Sequence, residues 1–116
     1  MFLGMLAAVV LLSLNSARMK SRDAKRLADI RQMASALELY FNDKAQYPEK
    51  PSMLQPNYIG VIPTAPMPAD GKCTEAENQY LYQKTAFNNY ALRFCLGQAS
   101  GGYAAGPHTL SPKGIE

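Results

Sequence analysis

Residues 2–41, FLGMLAAVVLLSLNSARMKSRDAKRLADIRQMASALELYF, decide the fold. Phe2 to Leu12 is apolar throughout apart from Gly4. Ser13 to Arg26 turns polar and basic, and from there the apolar residues fall at Leu27, Ile30, Met33, Ala34, Leu37, Tyr40 and Phe41. This is the i, i+3, i+4, i+7 spacing of one helical face, with Asp29, Arg31, Gln32, Glu38 and Asn42 elsewhere. No proline precedes Pro48 and no glycine stands between Gly4 and Gly60, so nothing interrupts a single long rod. A rod with an apolar tip and half-buried later turns suits a membrane-held or self-assembling subunit better than an enzyme.

The chain has 116 residues, enough for one small unit with a thin core. Its net charge of +3 gathers in one place: Arg18, Lys20, Arg22, Lys25 and Arg26 oppose only Asp23. The remainder is near neutral, which does not describe a nucleic-acid binder. Cys73 and Cys95 each adjoin strand-like sequence. In a reducing cytosol such a pair is more often two buried thiols; behind an export segment, in a small head, a disulfide is the better reading. Closing a loop of that length contributes about 3 kcal/mol in the chain-entropy picture.

Crossing a hydrocarbon core takes about 20 apolar residues, and Met1 to Leu14 supplies 14. A cleavable signal peptide would need a basic segment ahead of it, and an exposed surface helix would carry polar residues on one side. The reading we favour is that the span begins upstream of this sequence. Charge bias would hold the basic cluster, and the head with it, in the cytoplasm. The cysteines argue for the opposite side, and we give them the greater weight.

The helix is expected to end near Asn42–Ala45, ahead of Tyr47-Pro48. Lys25 and Arg26 precede Asp29 by four and three residues, the spacing of solvent-side ion pairs. Six of the eight prolines fall within 48–72, a density that leaves only a loop. Tyr58, Ile59, Val61 and Ile62 are its expected anchors, and Asp70-Gly71 its closing turn. Gln79–Lys84 then alternates, Asn88-Asn89 is the expected turn, and Tyr90, Leu92 and Phe94 oppose Ala91, Arg93 and Cys95. Tyr103–Leu110 supplies an edge strand. The fold class is therefore α+β, with a long N-terminal helix packed at its C-terminal half on a small antiparallel sheet. Residues 1–26 form a stalk and 27–116 a head, divided into helix 27–44, a proline-rich loop 48–72 and a β-meander 79–110.

Gly4 in its apolar run, Leu14-Asn15-Ser16-Ala17-Arg18, Arg22-Asp23-Ala24-Lys25-Arg26, Asp29-Ile30, Ala36-Leu37-Glu38-Leu39-Tyr40, Tyr40-Phe41-Asn42-Asp43 and Tyr47-Pro48 resemble type IV pilins, in particular the branch similar to the major pseudopilin of type II secretion. The segments Phe94-Cys95-Leu96-Gly97, Gly101 to Gly106 and His108 to Pro112 are similar to pilin-like heads. The likeness spans nearly the whole chain and is more specific in its N-terminal half. It implies a pilin-like fold, a leader cleaved after glycine, a methylated terminus and a glutamate that pairs with a neighbour's amine. The positions for those last three steps fall before Phe2, because Gly4 aligns with a glycine deeper in the family's apolar segment. Many members carry a proline where Leu12 stands, which leaves Gly4 as the soft point of the rod.

The resemblance implies a structural subunit of an extracellular or periplasmic type IV pilus-like filament. Alternatives are a type II secretion pseudopilin, or a membrane-tethered adhesin or binding module. The expected partners are further copies of the chain, the inner membrane before assembly and the pilus or secretion machinery, with no small-molecule substrate. The expected location is the bacterial cell envelope, as a single-pass membrane protein before assembly and a filament afterwards. Phe2, Leu3, Gly4, Leu6, Val9, Val10, Leu11, Leu12 and Leu14 are the expected packing residues, with Gly4, Ala7 and Ala8 permitting close approach. Arg18, Lys20, Arg22, Lys25 and Arg26 form a basic contact patch, read as headgroup or inter-helix contacts. Nucleic-acid binding would want aromatics interleaved with these charges, which are missing.

No cofactor or metal site is expected. His108 is the only histidine and has no second ligand beside it. Residues 96–115 contain no Asp or Glu, so the calcium loop of the major pseudopilins is not carried over. Asp70, Glu75 and Glu77 read as a solvated group. No nucleophile has a histidine–carboxylate set, and no catalytic role is expected.

Overall fold

The computed structural model describes residues 2–116, with side chains described from Leu14 onward. Helix α1 runs Phe2–Lys44 without a break. Four strands follow: β1 (Leu81–Ala86), β2 (Asn89–Leu96), β3 (Gly106–Ser111) and β4 (Gly114–Ile115). They form one antiparallel sheet in the order β1-β2-β3-β4. The molecule measures 66 × 24 × 23 Å. A helix of 43 residues at about 1.5 Å per residue spans nearly all of that length, so α1 sets the long axis.

The later turns of α1 carry the core. Leu27, Ile30, Met33, Ala36, Leu37 and Tyr40 are buried against Tyr90, Leu92, Phe94 and Leu96 of β2 and Leu110 of β3. Alternation along β2 places Tyr90, Leu92 and Phe94 inward and Arg93 outward. Cys95, on the outward parity, is nevertheless buried, because its disulfide to Cys73 brings a loop over it. Aromatic rings close the far end of the core: Phe41 stacks on Tyr47 at 4.7 Å, and Tyr47 meets Tyr90 edge-on at 4.7 Å.

Ala45 ends the helix in the left-handed region (φ 58°), with its N–H still bonded to Phe41 O at 2.8 Å. Glycine usually takes that position, since a Cβ there costs about 1–2 kcal/mol. The proline-rich segment then winds beside the core through one 3-10 turn, Pro51–Leu54, which buries Leu54.

Several expectations are corrected. The first hairpin turns at Phe87-Asn88, because Ala86 pairs with Asn89. Val61 is 75% exposed and anchors nothing, whereas Ile59 is buried. The strand expected at Tyr103–Leu110 is β3, which begins at Gly106 and is not an edge, because β4 pairs beyond it; Tyr103 lies outside it, in a tight turn bridged to Ser100. The expected single-pass membrane location is overturned: among the described residues, no helix is long and apolar enough to cross a membrane. The packing roles expected for Phe2, Leu3, Gly4, Leu6, Val9, Val10, Leu11 and Leu12 lie outside the residues whose side chains are described.

Two substitutions on α1 test this packing. Leu37→Ala, at a fully buried site, should cost about 2–5 kcal/mol in denaturant unfolding, while Leu39→Ala, 53% exposed, should stay within about 0.5 kcal/mol. Ala45→Gly should raise stability by about 1 kcal/mol by relieving the left-handed backbone.

Candidate functional site

Where α1 meets the head, four charged side chains and one amide form a buried clamp. Arg26 is fully buried. A guanidinium has five N–H donors, and each finds an acceptor. Nε donates to Asn78 Oδ1 at 3.0 Å. Nη1 donates to Asp23 Oδ1 and Asp70 Oδ2, both at 2.9 Å. Nη2 donates to the Pro66 carbonyl at 3.0 Å and the Pro68 carbonyl at 2.8 Å. Asn78 Nδ2 also donates to Pro66 O at 2.9 Å, which fixes the amide's orientation.

The carboxylates are equally well supplied. Asp70 receives Arg22 in a two-pronged contact, Nε to Oδ2 at 2.8 Å and Nη2 to Oδ1 at 2.7 Å. Such forked pairs are the strong class of charged hydrogen bond. Asp23 Oδ1 and Oδ2 accept the Gly97 and Gln98 N–H groups, each at 2.9 Å. Two arginines and two aspartates leave the cluster neutral. The Arg22 guanidinium holds the Asp70 carboxyl below the usual carboxylate range; burial opposes this and Arg26 reinforces it.

Local sequence explains the geometry. Asp23 and Arg26 are one turn apart on α1, and Arg22 leads Arg26 by four residues, so all three share a face. Asp70-Gly71 turns the loop toward β2. A Cβ on Gly71 would run into the Gly97 carbonyl, and one on Gly97 would run into Asp70. Both glycines are therefore required by the close approach of the two backbones. Cys73, whose N–H bonds Asp70 O at 2.9 Å, is joined to Cys95 just upstream of Gly97.

The five residues expected to form a basic patch thus divide. Arg18 and Lys20 are exposed, Lys25 pairs with Asp29 at 2.8 Å, and Arg22 and Arg26 turn inward. Arg26 pairs with Asp23 rather than Asp29. Asp29 is itself buried and also accepts the Tyr80 hydroxyl at 2.7 Å; burial first and Asp29 second push that phenol upward. Tyr47, bonded to Glu38 at 2.8 Å, is likewise pushed up to about 12 by burial and then by the carboxylate. Leu14 is 45% exposed. Asp70, expected to be solvated, is the clamp's hub.

His108 belongs to β3 rather than to a loop. Its ring stacks on Phe94 at 5.7 Å, and its nitrogens face Ala104 O and Glu116 O at 2.6 and 3.1 Å. Among the described residues no group of three or more His, Cys, Asp or Glu side chains could hold a metal ion. An open cleft of about 550 Å³ lies between Ile62, Pro63, Met67, Glu75 and Tyr80. In the clamp every donor of Arg26 is occupied, so that guanidinium has no N–H left for a further ligand. Its chemistry is that of a fixed joint. No family model, no curated protein and no solved structure matches this chain.

Removing one partner should expose the cost of the joint. Asp70→Ala leaves two arginines facing an emptied site and should lose about 3–5 kcal/mol, against about 1 kcal/mol for Lys25→Ala, whose half-exposed ammonium leaves Asp29 its bond from Tyr80. The pH dependence follows from the lowered Asp70 value. A depressed carboxylate contributes fully above its unfolded value and loses that contribution as pH falls through the folded one. Stability should therefore fall on acidification below about pH 4, and Asp70→Asn should flatten that limb in urea titrations at stepped pH.

Proposed function

We propose that this chain is a structural subunit of a type IV pilus-like filament, assembled by lateral packing of N-terminal helices. The observation that carries this reading is the geometry of α1. It is one helix of 43 residues, yet among the described residues Arg22 is the first to hydrogen-bond the head. About 30 Å of helix precedes that point at about 1.5 Å per residue, and its first half is the apolar run Phe2–Leu12.

Apolar helix surface left in water is costly and gains about 25 cal/mol per Å² when covered. A second copy of the rod covers it without stranding polar groups, because helical backbone is bonded internally. The sequence has small residues at Gly4, Ala7 and Ala8, a composition that favours close helix approach. The long helix with a small antiparallel sheet on its later turns is consistent with a pilin-like layout, and the sequence resemblance to type IV pilins points the same way. The clamp suits this role, since a filament transmits force from packed helices to exposed heads only if the head cannot peel away. The reading is structural and assigns no catalysis.

Electron microscopy and sedimentation of the full chain test it. The chain should form fibres. A variant with Val9→Asp and Leu12→Asp should remain dispersed while its head melts at an unchanged temperature. A full-length chain that stays monomeric at high concentration, or a charged variant that still polymerises, would reject the reading.

A further inference from the structure

We infer that the Cys73–Cys95 bond is a redox-controlled catch for the buried clamp, so that a dithiol reductant opens the helix–head joint without unfolding the head. The clamp has two halves that face Arg26 and Asp23 from different parts of the chain. One half is the loop that supplies Asp70, Asn78 and the carbonyls of Pro66 and Pro68. The other is the end of β2, whose Gly97 and Gln98 N–H groups bond Asp23. The disulfide joins these halves, with Cys73 three residues past Asp70 and Cys95 two residues before Gly97.

Apart from the clamp and the close contact of Gly71 with Gly97, direct bonding between them is slight. Among the described residues the backbone tie between the two segments is Lys72 N–H to Gly97 O at 3.3 Å, which is long for such a bond. The loop itself is irregular and has no strand partner from Val61 to Tyr80. The core of Ile30, Leu37, Tyr90, Leu92 and Phe94 lies further along α1 and includes neither cysteine; Ile62 and Tyr80 pack on it from the two ends of the loop, and Leu96 from β2, so the part free to leave is the stretch 63–79 between those anchors. Releasing the loop therefore removes acceptors from Arg26 while leaving the apolar core in place. A guanidinium that loses buried acceptors gains by turning to water, which separates the start of the packed helix from the head.

Access is asymmetric in a way that suits exchange. Cys73 is partly exposed and Cys95 is buried. A thiolate of the reductant attacks the Cys73 sulfur, forms a mixed disulfide and expels Cys95 as a thiolate that takes up a proton. The reductant's second thiol then closes its own disulfide and releases Cys73 as a thiol. Two electrons and two protons pass from the dithiol to the protein.

Hydrogen exchange of the full chain, resolved to single amides and run with and without dithiothreitol, tests the catch. The Gly97, Gln98 and Cys73 amides should exchange about tenfold faster or more on reduction, while those of Ile30–Leu37 and Tyr90–Phe94 keep their protection. A Cys73→Ser, Cys95→Ser double variant should show the same pattern with no reductant. Unchanged exchange at Gly97 and Gln98 would overturn the inference, because the clamp would then hold without the bond. Uniform acceleration across the core would overturn it too, by making the disulfide a global staple instead of a local catch.

Discussion

A buried guanidinium is the constraint around which this molecule is arranged. Taking Arg26 out of water is costly unless every N–H is answered, and answering five of them needs groups from distant parts of the chain. The helix supplies Asp23, the proline-rich loop supplies Asp70 and two carbonyls, and the segment before β1 supplies Asn78. Once those are in place, the path of the loop across α1 is fixed. Gly71 and Gly97 are needed because that path presses two backbones together, and the disulfide lies at the same crossing. A second charged pair, Arg22 with Asp70, closes the edge of the cluster that faces solvent.

The clamp and the apolar core do different work. Burial of Ile30, Leu37, Leu92 and Phe94 supplies the favourable free energy, at about 1.5–3 kcal/mol for each large side chain. A stripe of apolar residues on a helix could pack against the sheet in a register shifted by one turn, since the pattern repeats. The charged cluster has no such alternative, because a shifted Arg26 would meet no acceptors. Buried ion pairs are weak contributors to net stability and are best attested as devices that fix register. Here that register decides how far α1 extends past the head.

Much of the architecture was legible in the sequence because it depends on local periodicity. The helical stripe from Leu27 to Phe41 and the alternation through Tyr90, Leu92 and Phe94 stand in the structure where the spacing puts them. The clamp was not legible, for a physical reason: all but the Asp23–Arg26 contact of Arg26's bonds, and those of Asp23 to β2, link residues 40 to 75 positions apart, and no local pattern reports such distances. Asp70 looked like the start of a turn in a solvated acidic group, and the run from Arg18 to Arg26 looked like an outward-facing contact patch for headgroups or neighbouring helices. The i, i+3 spacing of Asp23 and Arg26 was the available signal, and it pointed inward only once a third partner was known. The shifted hairpin turn and exposed Val61 have a simpler cause, since turn and loop residues are set by strand register and not by composition.

The filament reading and the clamp depend on each other mechanically. A rod that packs with its neighbours is useful only if the head is held to it at a fixed angle, and Arg26 is the residue that holds it. The most direct measurement is a double-mutant cycle of Arg26→Met and Asp70→Asn, read by denaturant unfolding of the single and paired variants. The account predicts that the pair costs less than the sum of the singles, with a coupling of about 0.5–3 kcal/mol. Strict additivity would contradict it, because the two side chains would then stabilise the protein independently and the joint would not be a unit.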